Sequence, residues 1–152
     1  MVIKEMLHAD EKRRIARKIL EALPEWFGIP EAREGYIESA AGQVFFAAME
    51  NDAPVGFLCL KETGKATAEL SVMGVVKKYQ RRGVGRGLLE AAKACAAKAG
   101  YRFLQVKTVQ MGKYAEYDGT NRFYLRMGFQ EFELFPTLWG EGNPCQIYVM
   151  AL

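Results

Sequence analysis

The stretch Tyr79-Gln80-Arg81-Arg82-Gly83-Val84-Gly85-Arg86-Gly87-Leu88 links a β-rich run to an amphipathic helical pattern. One side of that helix carries Leu88, Leu89, Ala92, Cys95 and Ala96. The first N–H groups of a helix lack intrahelical partners and lie at the positive end of its dipole, and glycines let a phosphate approach the backbone closely. The stretch therefore predicts an anion site, to which Arg81, Arg82 and Arg86 add positive charge.

Other glycine-rich motifs fit this stretch poorly. No Gly-Lys-Ser or Gly-Lys-Thr follows it, as a P-loop requires, and it lacks the full GxGxxG with a later acidic residue of a dinucleotide fold. Its arginines lie at a strand-to-helix junction, which disfavours an RNA-binding Arg-Gly segment. Glycines that only turn the chain are the alternative to an anion site.

The N-terminal third predicts one strand and two helices, over Val2 to Met6, Asp10 to Pro24 and Pro30 to Gly42. We expect Asp10 to cap the first helix. The segment between the helices, from Leu23 to Ile29, is a loop that carries Trp26 and Phe27.

The rest of the chain alternates strands with helices. Strand patterns cover Val44 to Met49, Pro54 to Leu60, Thr67 to Val76, Phe103 to Thr108, Phe129 to Phe135 and Cys145 to Ala151. Helical patterns cover Gly83 to Ala99 and Asn121 to Met127. The first three of these strands predict an antiparallel meander, and the next strand and helix predict a βαβ crossover. With no repeat or linker, residues 1–152 are expected to form a single α/β domain.

Composition narrows the possible functions. The chain has 152 residues, 50% of them hydrophobic, which suffices for one core. Its net charge of +3 is spread among mixed signs and does not indicate nucleic-acid binding. Cys59, Cys95 and Cys145 form no CxxC pair, which predicts no metal site and favours the reducing cytoplasm. No signal peptide or membrane-spanning stretch is expected.

Two motifs together resemble one known family. Gln80-Arg81-Arg82-Gly83-Val84-Gly85 is similar to the Gln/Arg-x-x-Gly-x-Gly/Ala signature of the GNAT superfamily of N-acetyltransferases, and Ala68 to Val75 looks like its fourth strand. Asn121 to Phe129 resembles its late FYxxxGF signature. The resemblance is sharp from Glu69 to Phe129 and elsewhere rests on element order. It implies a mixed, mostly antiparallel sheet of about six to seven strands, flanked by about four helices, with splayed central strands.

The resemblance implies acetyl-CoA as co-substrate and no metal. Backbone groups of Val75 and Val76 would pair with the pantetheine arm, in a cleft between the strand ending near Val76 and the strand from Phe103 to Thr108. Gly74 is a candidate for a bulge or a close approach there. The remaining implied cofactor contacts are Arg81, Arg82, Gly83, Val84, Gly85, Arg86, Gly87, Asn121 and Tyr124.

The resemblance also implies direct acyl transfer to an amine in a ternary complex. Tyr124 would be the general acid, or its ring would pack under the cofactor, and the Val75 N–H would polarise the thioester carbonyl. Glu69 would be the general base, or a solvated edge residue. The competing acids are Glu25, Glu116 and Asp118. His8 is expected to be structural, and no cysteine is expected to act as a nucleophile.

Acceptor specificity is expected from the loops over residues 23–29, 110–119 and 135–144. The candidate acceptor contacts are Trp26, Phe27, Tyr117 and Trp139, together with Tyr114. Glu25, Glu116, Asp118 or Glu141 would attract a cationic amine; alternatively, the aromatics cover the core edge and the acids are solvated. The acceptor is expected to be a small molecule or a protein. The acetyltransferase itself is expected to be a monomer or a homodimer. The alternative function is a non-catalytic acyl-CoA sensor or scaffold.

Overall fold

The computed structural model describes all 152 residues. Its strands are β1 (Val2–Met6), β2 (Val44–Glu50), β3 (Ala53–Gly64), β4 (Thr67–Val75), β5 (Phe103–Val109), β6 (Gln130–Phe135) and β7 (Cys145–Ala151). Its helices are α1 (Ala9–Glu21), α2 (Pro30–Ala40), α3 (Val84–Lys98) and α4 (Ala115–Arg126). A single turn of 3-10 helix, Lys77–Tyr79, leads from β4 towards α3.

The strands form one seven-stranded sheet in the order β1-β2-β3-β4-β5-β7-β6. Every neighbouring pair is antiparallel except β4 and β5, which are parallel and joined through α3. A parallel pair needs such a crossover because its two strands start at the same edge of the sheet. The predicted mixed, mostly antiparallel sheet with four helices is confirmed.

The sheet buries a separate apolar layer on each face. One layer joins α1 and α2 to the sheet, where the rings of Phe45 and Phe57 stack with their centroids 5.1 Å apart. The other layer joins α3 and α4 to the sheet and contains Leu88 and Tyr124. Leu70 of β4 belongs to the α3 side, whereas Val72 belongs to the α1 side, because an extra residue between them, Ser71, reverses the alternation of the strand.

The sheet opens between β4 and β5. Their pairing ends at Leu70 and Val106, after which β4 pairs with β3 alone and β5 with β7 alone. Ser71 is an extra residue at this point, because Leu70 pairs with Leu60 and Val72 pairs with Cys59. Such a bulge increases the local twist and turns the strand away from its neighbour. We call this opening the fork, and it confirms the predicted splay.

Gly74 is not the bulge. A Cβ on Gly74 would lie 3.0 Å from Ile19 Cγ2 and 3.1 Å from Leu23 Cδ1. The glycine therefore allows α1 to lie close against β4, which is the physical reason that a small residue stands there.

Two predicted helix starts were wrong. The N-cap of α1 is His8, without a side-chain capping bond, and Asp10 instead lies in the first turn, 3.0 Å from Arg13. Helix α4 begins at Ala115, six residues before Asn121, because its first turns pack against the segment between α1 and α2 and tolerate Gly119. No helix has the length and apolar character that crossing a membrane requires.

Candidate active site

The start of α3 presents unpaired backbone donors. Gly83 is its N-cap with φ of +84°, and Arg81 also lies in the left-handed region with φ of +62°. Side chains at such angles are strained, so the turn is held by its surroundings and marks a functional candidate. The N–H of Gly87 already donates to the Gly83 carbonyl at 3.0 Å, and the N–H groups before it, from Val84 to Arg86, have no intrahelical acceptor.

The glycines after Gly83 serve packing. A Cβ on Gly85 would lie 3.0 Å from Met73 Cε and 3.1 Å from the ring of Phe123. A Cβ on Gly87 would lie 3.4 Å from Ile3 Cδ1. The N–H of Gly87 bonds within α3 and its Cα faces β1, so its expected contact with the cofactor stays a prediction.

Positive charge surrounds the same helix start. Lys77, Lys78, Arg81, Arg82 and Arg86 lie within ten residues of sequence, and only Lys77 forms an ion pair, with Glu25. The Arg82 guanidinium lies 5.5 Å from the centre of the Tyr79 ring. We call the turn from Arg81 to Arg86 and these side chains the anion cradle. Free N–H groups, a helix dipole and surplus cations together suit a phosphate group.

Backbone groups of β4 face the fork beside this cradle. The Val76 N–H donates to the Val55 carbonyl at 3.0 Å, and the Val76 carbonyl accepts from Tyr79 at 2.9 Å. Because bonded pairs alternate along antiparallel strands, the backbone groups of Met73 and Val75 point away from β3 and into the fork. Both backbone groups of Val76 have partners within the chain, so its expected pantetheine contact stays a prediction, and Met73 is a further candidate for that contact.

The Val75 carbonyl is not free either. The side-chain amide of Gln80 donates to it at 2.9 Å, which ties the anion cradle to the end of β4. The Val75 N–H is left as a donor directed into the fork. Across the fork, Thr108 of β5 is buried, and its Oγ1 has no hydrogen-bond partner. A buried hydroxyl of this kind is costly unless a ligand or water satisfies it.

Tyr124 of α4 lies on the α3 side of the fork and is 6% exposed. Its ring packs edge-on against Phe129 at 5.5 Å and lies 6.1 Å from the ring of Tyr148. Burial raises the pKa of Tyr124, and the nearby Tyr117 and Tyr36 raise it further. Because desolvation disfavours the phenolate, Tyr124 keeps its proton at neutral pH and is available as a hydrogen-bond donor.

Asn121 is fully buried and its side chain is hydrogen-bonded within the chain, so its expected cofactor contact stays a prediction. Its Nδ2 donates to the carbonyl oxygens of Val109 at 2.8 Å and Tyr117 at 2.7 Å. Its Oδ1 accepts from the Tyr148 hydroxyl at 2.6 Å. With both amide hydrogens and the oxygen engaged, the side chain holds α4 against β5 and β7 and has no hydrogen left to donate to a ligand.

Glu69 is buried on the α1 side of the sheet, one residue before the fork. Its Oε1 accepts from Gln105 at 2.7 Å and lies 3.2 Å from Lys107 Nζ, and its Oε2 lies 3.6 Å from Lys61 Nζ. The expectation of a solvated edge residue is wrong, because this carboxylate lies inside a group of charges. The same contacts engage both of its oxygens.

Aromatic side chains gather where α2, α4 and the segment between α1 and α2 meet. The Trp26 indole donates to the Glu116 carbonyl at 3.3 Å, and the Tyr117 hydroxyl donates to the Trp26 carbonyl at 3.0 Å. Phe27 packs edge-on against Tyr36 of α2, with centroids 5.7 Å apart. These contacts fix the segment between α1 and α2 on the first turn of α4.

Trp139 lies apart from the Trp26 group, at a pocket of about 170 Å³ on the α1 side of the fork. The other lining residues are Tyr36, Lys61, Glu69, Leu70, Ser71 and Lys107. Tyr36 thus borders both the pocket and the group around Phe27. Neither Tyr36 nor Lys107 was predicted as a site residue, although alternation along β5 already places Lys107 and Gln105 on one face.

Two of the four acids expected to attract a cation, Glu25 and Asp118, are engaged within the chain. Glu25 pairs with Lys77, whose ammonium lowers the pKa of that carboxyl group. The Asp118 carboxylate accepts from the Gly112 N–H at 2.7 Å. His8 is exposed at the start of α1, and Cys95 packs against the apolar layer under α3, as expected. Burial raises the pKa of the Cys59 thiol, which disfavours its reactive thiolate form.

Solved structures with the same fold include several acetyltransferases. A protein from Desulfovibrio desulfuricans assigned to the GNAT family is 24% identical, with a TM-score of 0.84 over 99% of this chain and 98% of that one. A GNAT-family acetyltransferase from Elizabethkingia anophelis with acetyl-CoA bound is 18% identical, with a TM-score of 0.77 over 99% and 97%. An aminoglycoside 6′-N-acetyltransferase complexed with coenzyme A is 17% identical, with a TM-score of 0.78 over 99% and 97%.

Sequence comparison gives the family directly. No curated protein sequence matches the chain significantly. The family model of the acetyltransferase (GNAT) domain matches residues 40–131, which is more than half of the chain and contains the fork, the anion cradle and Tyr124. The chain belongs to the GNAT acetyltransferase family.

Proposed function

We propose that the protein transfers an acetyl group from acetyl-CoA directly to a primary amine in a ternary complex. One observation carries the proposal. The anion cradle, the unpaired backbone edge of β4 and the protonated Tyr124 all border one opening in the sheet. Two structural neighbours hold coenzyme A or acetyl-CoA, which supports the identity of the co-substrate.

The residues around the fork fit acetyl-CoA in their chemistry. The N–H groups from Val84 to Arg86 suit its pyrophosphate, and the backbone groups of Met73 suit an amide of its pantetheine arm. The buried Thr108 hydroxyl needs a partner that the chain does not supply. Bound acetyl-CoA would provide the activated thioester from which the acetyl group is transferred.

Tyr124 is the proposed proton donor. A thiolate that leaves during acyl transfer is stabilised by a proton, and a buried phenol with a raised pKa holds one at neutral pH. The aromatic packing of its ring fixes the direction of the hydroxyl group. The Val75 N–H is the proposed hydrogen-bond donor to the acetyl carbonyl.

Glu69 remains the candidate base, with a second role that its contacts favour. Its oxygens contact Gln105 and two lysines, so accepting a proton would weaken these contacts. The contacts support a role in holding Lys61 and Lys107 at the pocket. A Glu69→Gln variant separates the two roles, because loss of a base lowers kcat at saturating amine, whereas loss of lysine positioning raises the acceptor KM.

We further propose one domain over residues 1–152, in the cytoplasm, as a monomer or homodimer. The two apolar layers share one sheet, and the three cysteines are free thiols. Both observations fit a single folding unit in a reducing compartment.

The test is calorimetric titration with acetyl-CoA, followed by amine-dependent release of free thiol. Gly83→Asp places a carboxylate in the anion cradle and should abolish acetyl-CoA binding. Gly100→Asp is the matched control, because Gly100 ends the same helix with a φ of +94° and has nothing within 4 Å of its Cβ position. Equal affinity of wild type and Gly83→Asp would overturn the proposed cradle.

The second readout separates the enzyme from a sensor. Thiol release that depends on an added amine would support the transferase. Tight acetyl-CoA binding without thiol release across a broad set of amines and peptides would favour the non-catalytic acyl-CoA sensor. No acetyl-CoA binding by the wild type would refute both functions.

A further inference from the structure

We propose that the acceptor amine also carries a carboxylate, as in an amino acid or a short peptide, and that Lys107 and Lys61 recognise this carboxylate. The inference rests on the proposed function, because it assigns an acceptor class to the same fork. The pocket lies on the α1 side of the sheet, whereas Tyr124 comes from the α3 side. Acceptor and acetyl-CoA would therefore reach the fork from opposite faces.

Three observations place the pocket at the reacting end of the fork. Glu69, Leu70 and Ser71 line it, and pairing between β4 and β5 ends at Leu70. Tyr36 also lines it, and the Tyr36 hydroxyl is close enough to Tyr124 to contribute to its raised pKa. An amine in this pocket would thus lie near the proposed proton donor.

The charges of the pocket do not balance. Lys107 and Lys61 contribute two ammonium groups, 3.2 Å and 3.6 Å from the single carboxylate of Glu69. One positive charge is left over, and the Lys107 and Lys61 side chains remain 31% and 44% exposed to a ligand. A second carboxylate, supplied by the ligand, would neutralise that charge and accept charge-assisted hydrogen bonds.

The hydrogen-bonding groups of the pocket also favour a carboxylate ligand. Besides the two lysines, Tyr36 and Trp139 line the pocket, and each carries one hydrogen-bond donor on its side chain. Its charged acceptor, Glu69, already contacts Gln105 and both lysines, and the Ser71 hydroxyl donates to Gln43 at 2.5 Å. A pocket rich in donors and poor in free acceptors complements a carboxylate better than an ammonium group.

The surplus positive charge of the pocket would also promote acetyl transfer. Only an uncharged amine has the lone pair that attacks a thioester, and a nearby positive charge lowers the pKa of an ammonium group. The surplus ammonium therefore favours the reactive form of the acceptor amine while it binds the carboxylate. Polycationic acceptors, such as aminoglycosides, would instead meet repulsion, although several structural neighbours are aminoglycoside acetyltransferases.

The test compares matched acceptors in the thiol-release assay. Free amino acids with small, aromatic and acidic side chains are each paired with their own carboxamide, and an aminoglycoside completes the set. We expect at least one amino acid to exceed its amide by about tenfold or more in kcat/KM, the range of one charge-assisted contact. Preference for the amides or for the aminoglycoside would overturn the inference, as would acetylation of no carboxylate-bearing amine.

Variants of Lys107 assign the preference to the pocket. In Lys107→Met, the ratio of kcat/KM for an amino acid to kcat/KM for its carboxamide should fall about tenfold. Lys107→Arg should retain most of this ratio, because arginine keeps the positive charge. Lys65→Met is the matched control, on the exposed turn between β3 and β4 and far from the fork. An unchanged ratio in Lys107→Met would refute the role of Lys107.

Acetyl-CoA titration separates this inference from the proposed function. If wild type and Lys107→Met bind acetyl-CoA equally and amides are the better acceptors, the transferase stands and the carboxylate inference fails. If the wild type does not bind acetyl-CoA, the proposed function itself fails, and with it the inference.

Discussion

The Tyr148 hydroxyl donates a 2.6 Å hydrogen bond to Asn121 Oδ1, and both groups are buried beneath α4. The Asn121 amide in turn donates to carbonyl groups of Val109 and Tyr117. These three bonds connect β7, β5 and the start of α4 through one side chain. They fix the helix that carries Tyr124, so Asn121 is a positioning residue for the site.

Asn121→Ala should therefore lower stability strongly. It removes three buried hydrogen bonds and leaves the Val109 carbonyl and the Tyr148 hydroxyl without their partner, at an expected cost of about 3 kcal/mol in the free energy of unfolding. Tyr148→Phe removes one of these bonds and should cost about 1 kcal/mol. Urea denaturation of the two variants measures both effects. A stable Asn121→Ala protein with weakened acetyl-CoA binding would instead support the original expectation of a cofactor contact.

Tyr124→Phe should slow turnover and leave acetyl-CoA affinity nearly unchanged. The substitution keeps the ring that packs against Phe129 and removes only the proton donor, and loss of general acid catalysis costs about 100-fold in kcat. Thiol release at saturating substrates and calorimetry give the two quantities. Tyr101→Phe is the control, since the Tyr101 hydroxyl bonds Glu62 on the surface. An unchanged kcat would leave Tyr124 with its packing role alone.

Burial of Tyr124 also predicts loss of stability in alkaline solution. Its pKa is raised above the ordinary value of 10.0, so the folded state holds this proton more tightly than the unfolded state. The resulting stabilisation is complete below the ordinary value and declines as pH rises above it, by up to about 1.4 kcal/mol per pH unit. Urea unfolding on both sides of pH 10 measures this slope, which Tyr124→Phe should reduce. An equal slope of unfolding free energy against pH in wild type and Tyr124→Phe would contradict the assignment of this stabilisation to the Tyr124 proton.

The sequence predicted the element order well, because local patterns determine it, whereas the fork was expected from the resemblance to the GNAT family. An apolar run placed Cys145 to Ala151 as a strand, and the glycines after Gln80 marked the start of α3. Backbone partners were harder to predict. That Val76 bonds β3, while Met73 faces the fork, depends on strand register, and register depends on the bulge at Ser71.

Side-chain contacts were hard to predict where residues distant in sequence meet. Asn121 matched a family position, but its amide is engaged by Tyr148, which lies 27 residues away. The charge balance at Glu69 likewise depends on Lys61 and Lys107, contributed by two other strands. Short-range patterns carry no information about such contacts, so these roles required the tertiary structure.

Two glycine-to-alanine substitutions should have opposite effects on stability. Gly35 lies within α2 with nothing within 4 Å of its Cβ position, so Gly35→Ala should stabilise the protein by about 0.5–1 kcal/mol through helix propensity. A Cβ on Gly74 would lie 3.0 Å from Ile19 Cγ2 and 3.1 Å from Leu23 Cδ1, so Gly74→Ala should destabilise it by about 1–3 kcal/mol through overpacking. Thermal or urea unfolding measures both changes.

The Gly35→Ala and Gly74→Ala variants also test the role of Gly74. If Gly74 only allows α1 to pack closely against β4, the Gly74→Ala protein is less stable, but its folded fraction binds acetyl-CoA as tightly as the Gly35→Ala protein does. If Gly74 instead leaves room for acetyl-CoA, the Gly74→Ala protein binds acetyl-CoA more weakly and keeps its stability. The first outcome is expected, because the missing Cβ points towards Ile19 and Leu23 on the α1 side, whereas the anion cradle begins α3 on the other side of the sheet.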